Sequence, residues 1–206
     1  FGPDGYLYIT TGDAQEPSLA QDKNSLAGKI LRVMDDGRGA PGNPFDNLVY
    51  SFGHRNPQGL TWSERGTLYE TEHGQSATDE FNFIEPGKNY GWPTIRGSQT
   101  RSSMESPLLQ SGNDTWAPAG AAYYQYADGR TSVFFGGLRG QTLYEAVIKN
   151  NQVVPLREHL KGQYGRLRDV VVGPDGMLYI TTSNKDGGGN PSETDDRILQ
   201  INPSKL

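Results

Sequence analysis

The densest chemical segment of the sequence is Gly53-His54-Arg55-Asn56-Pro57-Gln58-Gly59-Leu60. A guanidinium, two amides and a rigid proline fall within four consecutive residues. Arg55 can grip a carboxylate through two parallel N–H bonds, and Asn56 and Gln58 can read carbonyl or hydroxyl groups. The same residues also suit a polar connecting loop with Arg55 in a local ion pair. A second cluster is Gly165-Arg166-Leu167-Arg168-Asp169. On an extended strand Arg166 and Arg168 share a face about 7 Å apart, with Leu167 on the other. Two guanidinium groups so placed need an anion, either a ligand or a neighbouring carboxylate. Arg139, set among glycines in Gly136-Gly137-Leu138-Arg139-Gly140, adds a third cation at a strand end.

A third segment combines carboxylates with glycine-exposed backbone. It runs from Glu72 through His73, Gly74 and Gln75 to Asp79 and Glu80, and is followed by Gly87-Lys88-Asn89-Tyr90-Gly91-Trp92-Pro93. Hard oxygen donors in flexible number are what Ca²⁺ uses; a solvated acidic loop is the other reading. There is no cysteine and there are only 3 histidines, which argues against zinc. His54 and His73 read as hydrogen-bonded loop residues in preference to proton-transfer bases.

Short strands and tight turns must position these groups. Gly2-Pro3-Asp4-Gly5-Tyr6-Leu7-Tyr8-Ile9-Thr10-Thr11 matches Gly173-Pro174-Asp175-Gly176-Met177-Leu178-Tyr179-Ile180-Thr181-Thr182 at all positions but one. Weaker copies follow Gly66 and Gly129. Each copy is a glycine turn entering a β-rich run, which reads as a hairpin strand. Strand-rich units at such spacing point to a β-propeller, of which about four blades fit here. Three cations at the ends of different repeats would converge on one axial mouth and suit a multiply anionic ligand. Gln141 to Ile148 and Thr78 to Ile84 read as strands. Four long polar loops are expected at 14–25, 35–47, 90–114 and 183–196, with no domain boundary.

Composition agrees. The 27 glycines and 13 prolines make up about a fifth of the 206 residues, well above average usage. Coiled-coil, collagen-like and disulfide-scaffold classes are excluded. No apolar run approaches the length of a membrane span, and a net charge of −5 argues against a nucleic-acid surface.

Taken together, the motifs resemble the soluble aldose sugar dehydrogenases that depend on pyrroloquinoline quinone (PQQ), the glucose/sorbosone dehydrogenase family. The resemblance is carried by the first Gly-Pro-Asp-Gly run with Gly12-Asp13, by Leu26 to Arg32, by Gly53 to Leu60, by Glu72-His73-Gly74 with Asp79-Glu80, by Asn89 to Pro93 and by Arg166 to Asp169. These fall in family order across nearly the whole chain. The resemblance implies an all-β, six-bladed β-propeller fold, with PQQ and Ca²⁺ as cofactors and an aldose sugar as substrate, oxidised at C1 to the lactone. It implies that Arg55, Asn56, Gln58, Arg139, Arg166 and Arg168 bind the cofactor. It assigns the backbone carbonyls of Gly74 and Gln75 to the cofactor-linked Ca²⁺, and the Glu80 carboxylate with the Tyr90 carbonyl to a structural Ca²⁺. Trp116 falls near a stacking wall of the cofactor, core packing being the other reading. A periplasmic or secreted location is implied in the same way.

The resemblance also implies a general-base histidine a few residues before the first turn, with Asp13 as the carboxylate that orients it. The sequence begins after that point. The 206 residues are therefore expected to be a piece without the base and the first blades, with no turnover alone, and with those blades or a second copy as partner. A non-catalytic propeller module that binds a protein or glycan, or a Ca²⁺-dependent lactonase, are the alternatives; the joint presence of Arg55, Arg166 and Arg168 argues against both.

Overall fold

The computed structural model describes residues 1–150 and 152–206. Its strands are β1 (Leu7–Thr11), β2 (Lys29–Val33), β3 (Val49–Phe52), β4 (Pro57–Trp62), β5 (Leu68–Glu72), β6 (Glu80–Ile84), β7 (Leu109–Gln110), β8 (Pro118–Gln125), β9 (Thr131–Gly137), β10 (Leu143–Lys149), β11 (Gln152–His159), β12 (Leu167–Val172), β13 (Leu178–Thr182) and β14 (Ile198–Ile201). They form four sheets in chain order: β1–β3, β4–β7, β8–β11 and β12–β14. Neighbouring strands within each sheet are antiparallel. Among the described residues the helical elements are short 3-10 turns at Pro17–Gln21 and Pro203–Lys205, and no helix is long and apolar enough to cross a membrane. Expected strands at 141–148 and 78–84 appear as β10 and β6. The loop expected at 90–114 carries the short strand β7, and the loop expected at 14–25 carries the first 3-10 turn.

Successive sheets stack face to face, as propeller blades do. Alternation in β9 shows how one strand serves two interfaces. Val133 and Phe135 pack toward the second sheet, against Tyr69 and Phe81. Phe134, between them, packs toward the fourth sheet with Leu167, Leu178 and Ile180. The first and second sheets join through Tyr8, Ile30, Leu60 and Leu68, with Tyr8 edge-on to both Tyr50 and Trp62 at 5.1 Å. Phe134, Phe135 and Phe81 are fully buried, each contributing about 2–3 kcal/mol of apolar transfer.

The repeated turns are a physical identity as well as a textual one. Gly5, Gly66, Gly129 and Gly176 all have φ between +73° and +84°, and a Cβ on any of them would meet no atom within 4 Å. Glycine is required there by backbone conformation alone. Tyr8 donates to Asp4 at 3.0 Å and Tyr179 to Asp175 at 2.9 Å. The turn lies before β1 but between the first and second strands of the other three sheets. Hence β1, β5, β9 and β13 are equivalent.

This phase decides where the chemistry sits. Antiparallel alternation sends the four glycine turns to one end of the stack. The loops 12–28, 53–56, 73–79, 138–142, 160–166 and 183–197 all emerge at the other end. That end carries Asp13, Arg55, Asn56, Gly74, Gln75, Arg139 and Arg166, with Gln58 and Arg168 on the strands just inside it.

Candidate functional site

Arg55 is held from behind by a buried acid–imidazole pair. His54 is fully buried. Its Nδ1 lies 2.8 Å from Glu72 Oε2, its Nε2 lies 2.9 Å from Ser51 Oγ, and its ring stacks on Tyr90 at 4.7 Å. The other Glu72 oxygen accepts the Arg55 backbone N–H, so one carboxylate fixes both residues. The Arg55 side chain donates to His73 O at 3.2 Å, and His73 N donates to Asn56 O at 3.1 Å. Asn56 in turn accepts from the Gln58 amide at 3.0 Å.

Asp13 joins this cluster from the first sheet. Its backbone N–H donates to Arg55 O at 2.8 Å. Its carboxylate accepts from Trp92 Nε1 at 2.9 Å and from the Gln15 N–H at 3.0 Å. The Trp92 ring carries the Arg96 guanidinium at 4.7 Å and that of Arg55 at 5.8 Å, both within cation–π range.

The four metal-ligand candidates, assigned above to two ions, border one small cavity. Gly74, Gln75, Glu80 and Tyr90 line it together with Arg55, Glu72, Thr78, Trp92, Ile95 and Arg96. Its volume of about 10 Å³ suits a single water or ion. The surroundings are acidic. Burial, then the Glu72 charge, pushes the Glu80 carboxyl up to about 8. Burial and Glu72 likewise hold the Glu70 carboxyl well above the ordinary carboxylate range. Glu70 accepts from Asn82 at 3.0 Å through one oxygen, while its Oε1 and Asn82 Oδ1 have no hydrogen-bond partner among the described residues. Crowded carboxyls and orphaned oxygens of this kind fit a hard divalent cation. His54 lies within reach of the same group, but both its ring nitrogens are engaged, which leaves oxygen donors. The loop bearing Gly74 and Gln75 is anchored by Asp79, which accepts from the backbone N–H of Gly74 at 2.8 Å, Trp116 at 2.7 Å and Ala117 at 2.8 Å.

On the opposite side of this end stand the other cations. Arg166 and Arg168 both donate to Asp186 Oδ2, at 2.9 Å each through NH2, so the anion required by that pair is supplied within the chain. Arg166 also reaches Leu138 O at 3.4 Å, next to the exposed Arg139. The Arg139 side chain makes no hydrogen bond or ion pair among the described residues. His73 lies between the two groups of cations. Its Nε2 bonds Pro118 O at 2.7 Å, and its pKa is lowered by burial foremost, with the Arg55 and Arg168 charges acting in the same direction.

All the candidate residues therefore meet at one end of the stack. Trp116 does not form a wall there: it is buried between Phe135 and Tyr144. Glu72 and Asp79 were read from the sequence only as carboxylates of a possible Ca²⁺ segment and not as anchors of backbone N–H groups, and Trp92 and Asp186 were given no role.

Known proteins share this fold. The family described as glucose/sorbosone dehydrogenase matches residues 1–190. Aldose sugar dehydrogenase YliI of Escherichia coli is 31% identical over 211 residues, covering 91% of this chain and 56% of that protein. Quinoprotein glucose dehydrogenase B of Acinetobacter calcoaceticus is 37% identical over 119 residues, covering 47% of this chain and 25% of its own length. The PQQ-bound form of aldose sugar dehydrogenase from Streptomyces coelicolor superposes with a TM-score of 0.89 at 45% identity, over 98% of this chain and 59% of that one. The chain thus spans just over half the length of its full-coverage relatives. With its cations, amides and acidic cavity gathered at one end of a stack of blades, the chain belongs to the glucose/sorbosone dehydrogenase family.

Proposed function

We propose that this chain forms the cofactor-binding part of a PQQ- and Ca²⁺-dependent dehydrogenase that oxidises an aldose at C1 to the lactone. The observation that carries the reading is the meeting of Arg55, Asn56, Arg139, Arg166 and Arg168 at the end that also bears the acidic cavity. A group with three carboxylates fits such a mouth, because separated guanidinium groups from three sheets can each take one. The Gly74 and Gln75 carbonyls would hold a cofactor-linked Ca²⁺ and the Glu80 carboxylate with the Tyr90 carbonyl a structural one, and the orphaned Glu70 and Asn82 oxygens near Glu80 fit a cation.

When bound, PQQ supplies the two-electron acceptor for the sugar hydride, and Ca²⁺ polarises its quinone. The residues of this chain bind and orient. Arg55 and Asn56 orient the cofactor from a backbone pinned by Glu72. Asp13 holds a negative charge beside them, fixed by the Trp92 indole. The three histidines are all engaged: His54 with Glu72 and Ser51, His73 with Pro118 and His159 with Glu145. The proposed reaction needs a proton acceptor that they do not supply.

Calorimetric titration of PQQ into the purified chain, with and without Ca²⁺, tests this. Stoichiometric binding that requires Ca²⁺ is expected, with a quinone absorbance band that changes on adding glucose only when a base is present. A folded chain that takes up no PQQ at saturating Ca²⁺ overturns the reading.

A further inference from the structure

The loop 183–189 clasps Arg166 from four directions. Ser183 N donates to Arg166 O at 2.9 Å, and Arg166 N donates to Asn184 Oδ1 at 2.8 Å. Asp186 Oδ2 accepts from Arg166 Nε at 3.1 Å and NH2 at 2.9 Å. Gly188 and Gly189 lie flat on the side chain: a Cβ on Gly188 would stand 2.9 Å from Arg166 Cζ, and one on Gly189 would stand 2.9 Å from Arg166 Cδ. Gly188 and Gly189 thus sit at a close approach, whereas Gly187 is set by its φ of +90° with open space around it. Asp186 Oδ2 also accepts from Arg168 NH2 at 2.9 Å and Ser183 Oγ at 3.0 Å, and Oδ1 accepts from Gly188 N at 2.8 Å.

The two arginines are unequal in this arrangement. The Arg166 side chain is 16% exposed and has three of its donor positions taken, whereas the Arg168 side chain is 41% exposed and donates through NH2 alone. Its Nε and NH1 hydrogens are unpaired among the described residues. Two guanidinium groups side by side repel each other. One carboxylate shared between them removes that repulsion yet leaves a net positive charge for an anionic ligand.

We propose that Asp186 is a positioning residue, an internal carboxylate that fixes the Arg166–Arg168 pair at anion-binding geometry, with Arg168 as the member left free to take a ligand carboxylate. This rests on the cofactor reading above. The Arg166 guanidinium, with the Gly188 N–H, also holds the Asp186 carboxyl well below the usual range, so the pairing is charged throughout the neutral region.

Two readouts test it. In the ligand-free protein, ¹⁵N spectra of arginine Nε–H groups should show Arg166 as a slowly exchanging signal, assigned with Arg166→Lys. Asp186→Asn and Gly188→Ala should return it to solvent-like exchange. In titrations with PQQ and Ca²⁺, Asp186→Asn should weaken binding about tenfold and Asp186→Glu should recover part of the loss. In an Arg168→Ala background, Asp186→Asn should have little further effect, whereas a merely structural role would weaken both backgrounds equally. Unchanged Nε–H protection in Asp186→Asn, or binding as tight as or tighter than wild type, overturns the proposal. If the wild-type chain takes up no PQQ, the cofactor reading fails, and the Nε–H exchange alone decides whether Asp186 fixes the pair.

Discussion

Trp92 Nε1 donates to Asp13 Oδ2 at 2.9 Å across 79 residues of sequence. This contact ties the loop after β1 to the long loop after β6, and Trp92 simultaneously carries two guanidinium groups on its ring. One side chain therefore positions a carboxylate and two cations of the candidate site.

Trp92→Phe separates these functions, because it keeps a ring and removes the N–H. Loss of a hydrogen bond to a charged acceptor should cost about 1.5–3 kcal/mol, read as a lower urea midpoint at unchanged slope. Trp92→Ala also loses both cation–π contacts and the packing of a buried indole, and should cost several kcal/mol more. Equal stability of the wild type and the Phe variant would show the hydrogen bond to be energetically idle.

Ca²⁺ should stabilise the chain through the cavity bordered by Glu80 and Tyr90. A ligand present at about 100 times its Kd adds about 2.7 kcal/mol, so the thermal midpoint should fall on chelation. Glu80→Gln has a two-sided signature. Removing one acid from the Glu70–Glu72–Glu80 group should raise the midpoint in chelator, while the gain on adding Ca²⁺ disappears. A Glu80→Gln chain that still gains the wild-type increment would place the ion elsewhere.

Lys29 is fully buried and forms no ion pair among the described residues. Its ammonium donates to Leu19 O at 2.9 Å, Ala20 O at 3.0 Å and Ala27 O at 2.6 Å, and burial lowers its pKa to about 8. It is an internal cap for the loop that begins at Asp13. Lys29→Met keeps the volume but strands the Ala27 carbonyl, at about 1–3 kcal/mol, while Leu19 O and Ala20 O keep the Asp22 and Gly53 N–H groups. The variant should also be cut within 14–27 by protease sooner than the wild type. Unaltered cleavage there would show that the loop holds its shape without the ammonium.

Local features were legible before the structure and distant ones were not. The Asp–Gly turns could be read because their hydrogen bonds run between residues a few positions apart, so a copied decapeptide copies the geometry. The burial of those copies could not. Leu7–Thr11 and Leu178–Thr182 are the same pentapeptide, yet Ile9 is 38% exposed and Ile180 is fully buried, because β13 lies inside its sheet and packs on the third one. The need of Arg166 and Arg168 for an anion was readable from strand alternation. The identity of that anion was not, because Asp186 reaches them only through a loop folded back by about 20 residues. Nothing in the sequence singled out Lys29 for the same reason: three carbonyls from the preceding loop decide its fate.

Glu145 lies in the third sheet, away from the candidate site, and gives the chain a defined acid limit. It is 1% exposed. It accepts from Ser132 Oγ at 2.8 Å and Tyr126 OH at 3.0 Å, and lies 2.9 Å from His159 Nε2 and 3.6 Å from Arg157 NH1. Burial alone would raise its pKa, but the hydrogen bonds from His159, Ser132 and Tyr126 and the Arg157 charge outweigh it and hold the carboxyl at about 2. The folded value lies below the unfolded one of about 4.5. Its contribution is therefore complete above about pH 4.5 and is lost as the pH falls toward 2. The difference corresponds to about 3 kcal/mol. Glu145→Gln should be less stable than the wild type by about that amount at pH 6, and the gap should close progressively between pH 4.5 and 2.5 in urea titrations. A gap that stays constant down to pH 2.5 would mean that packing, and not the charge, accounts for the loss.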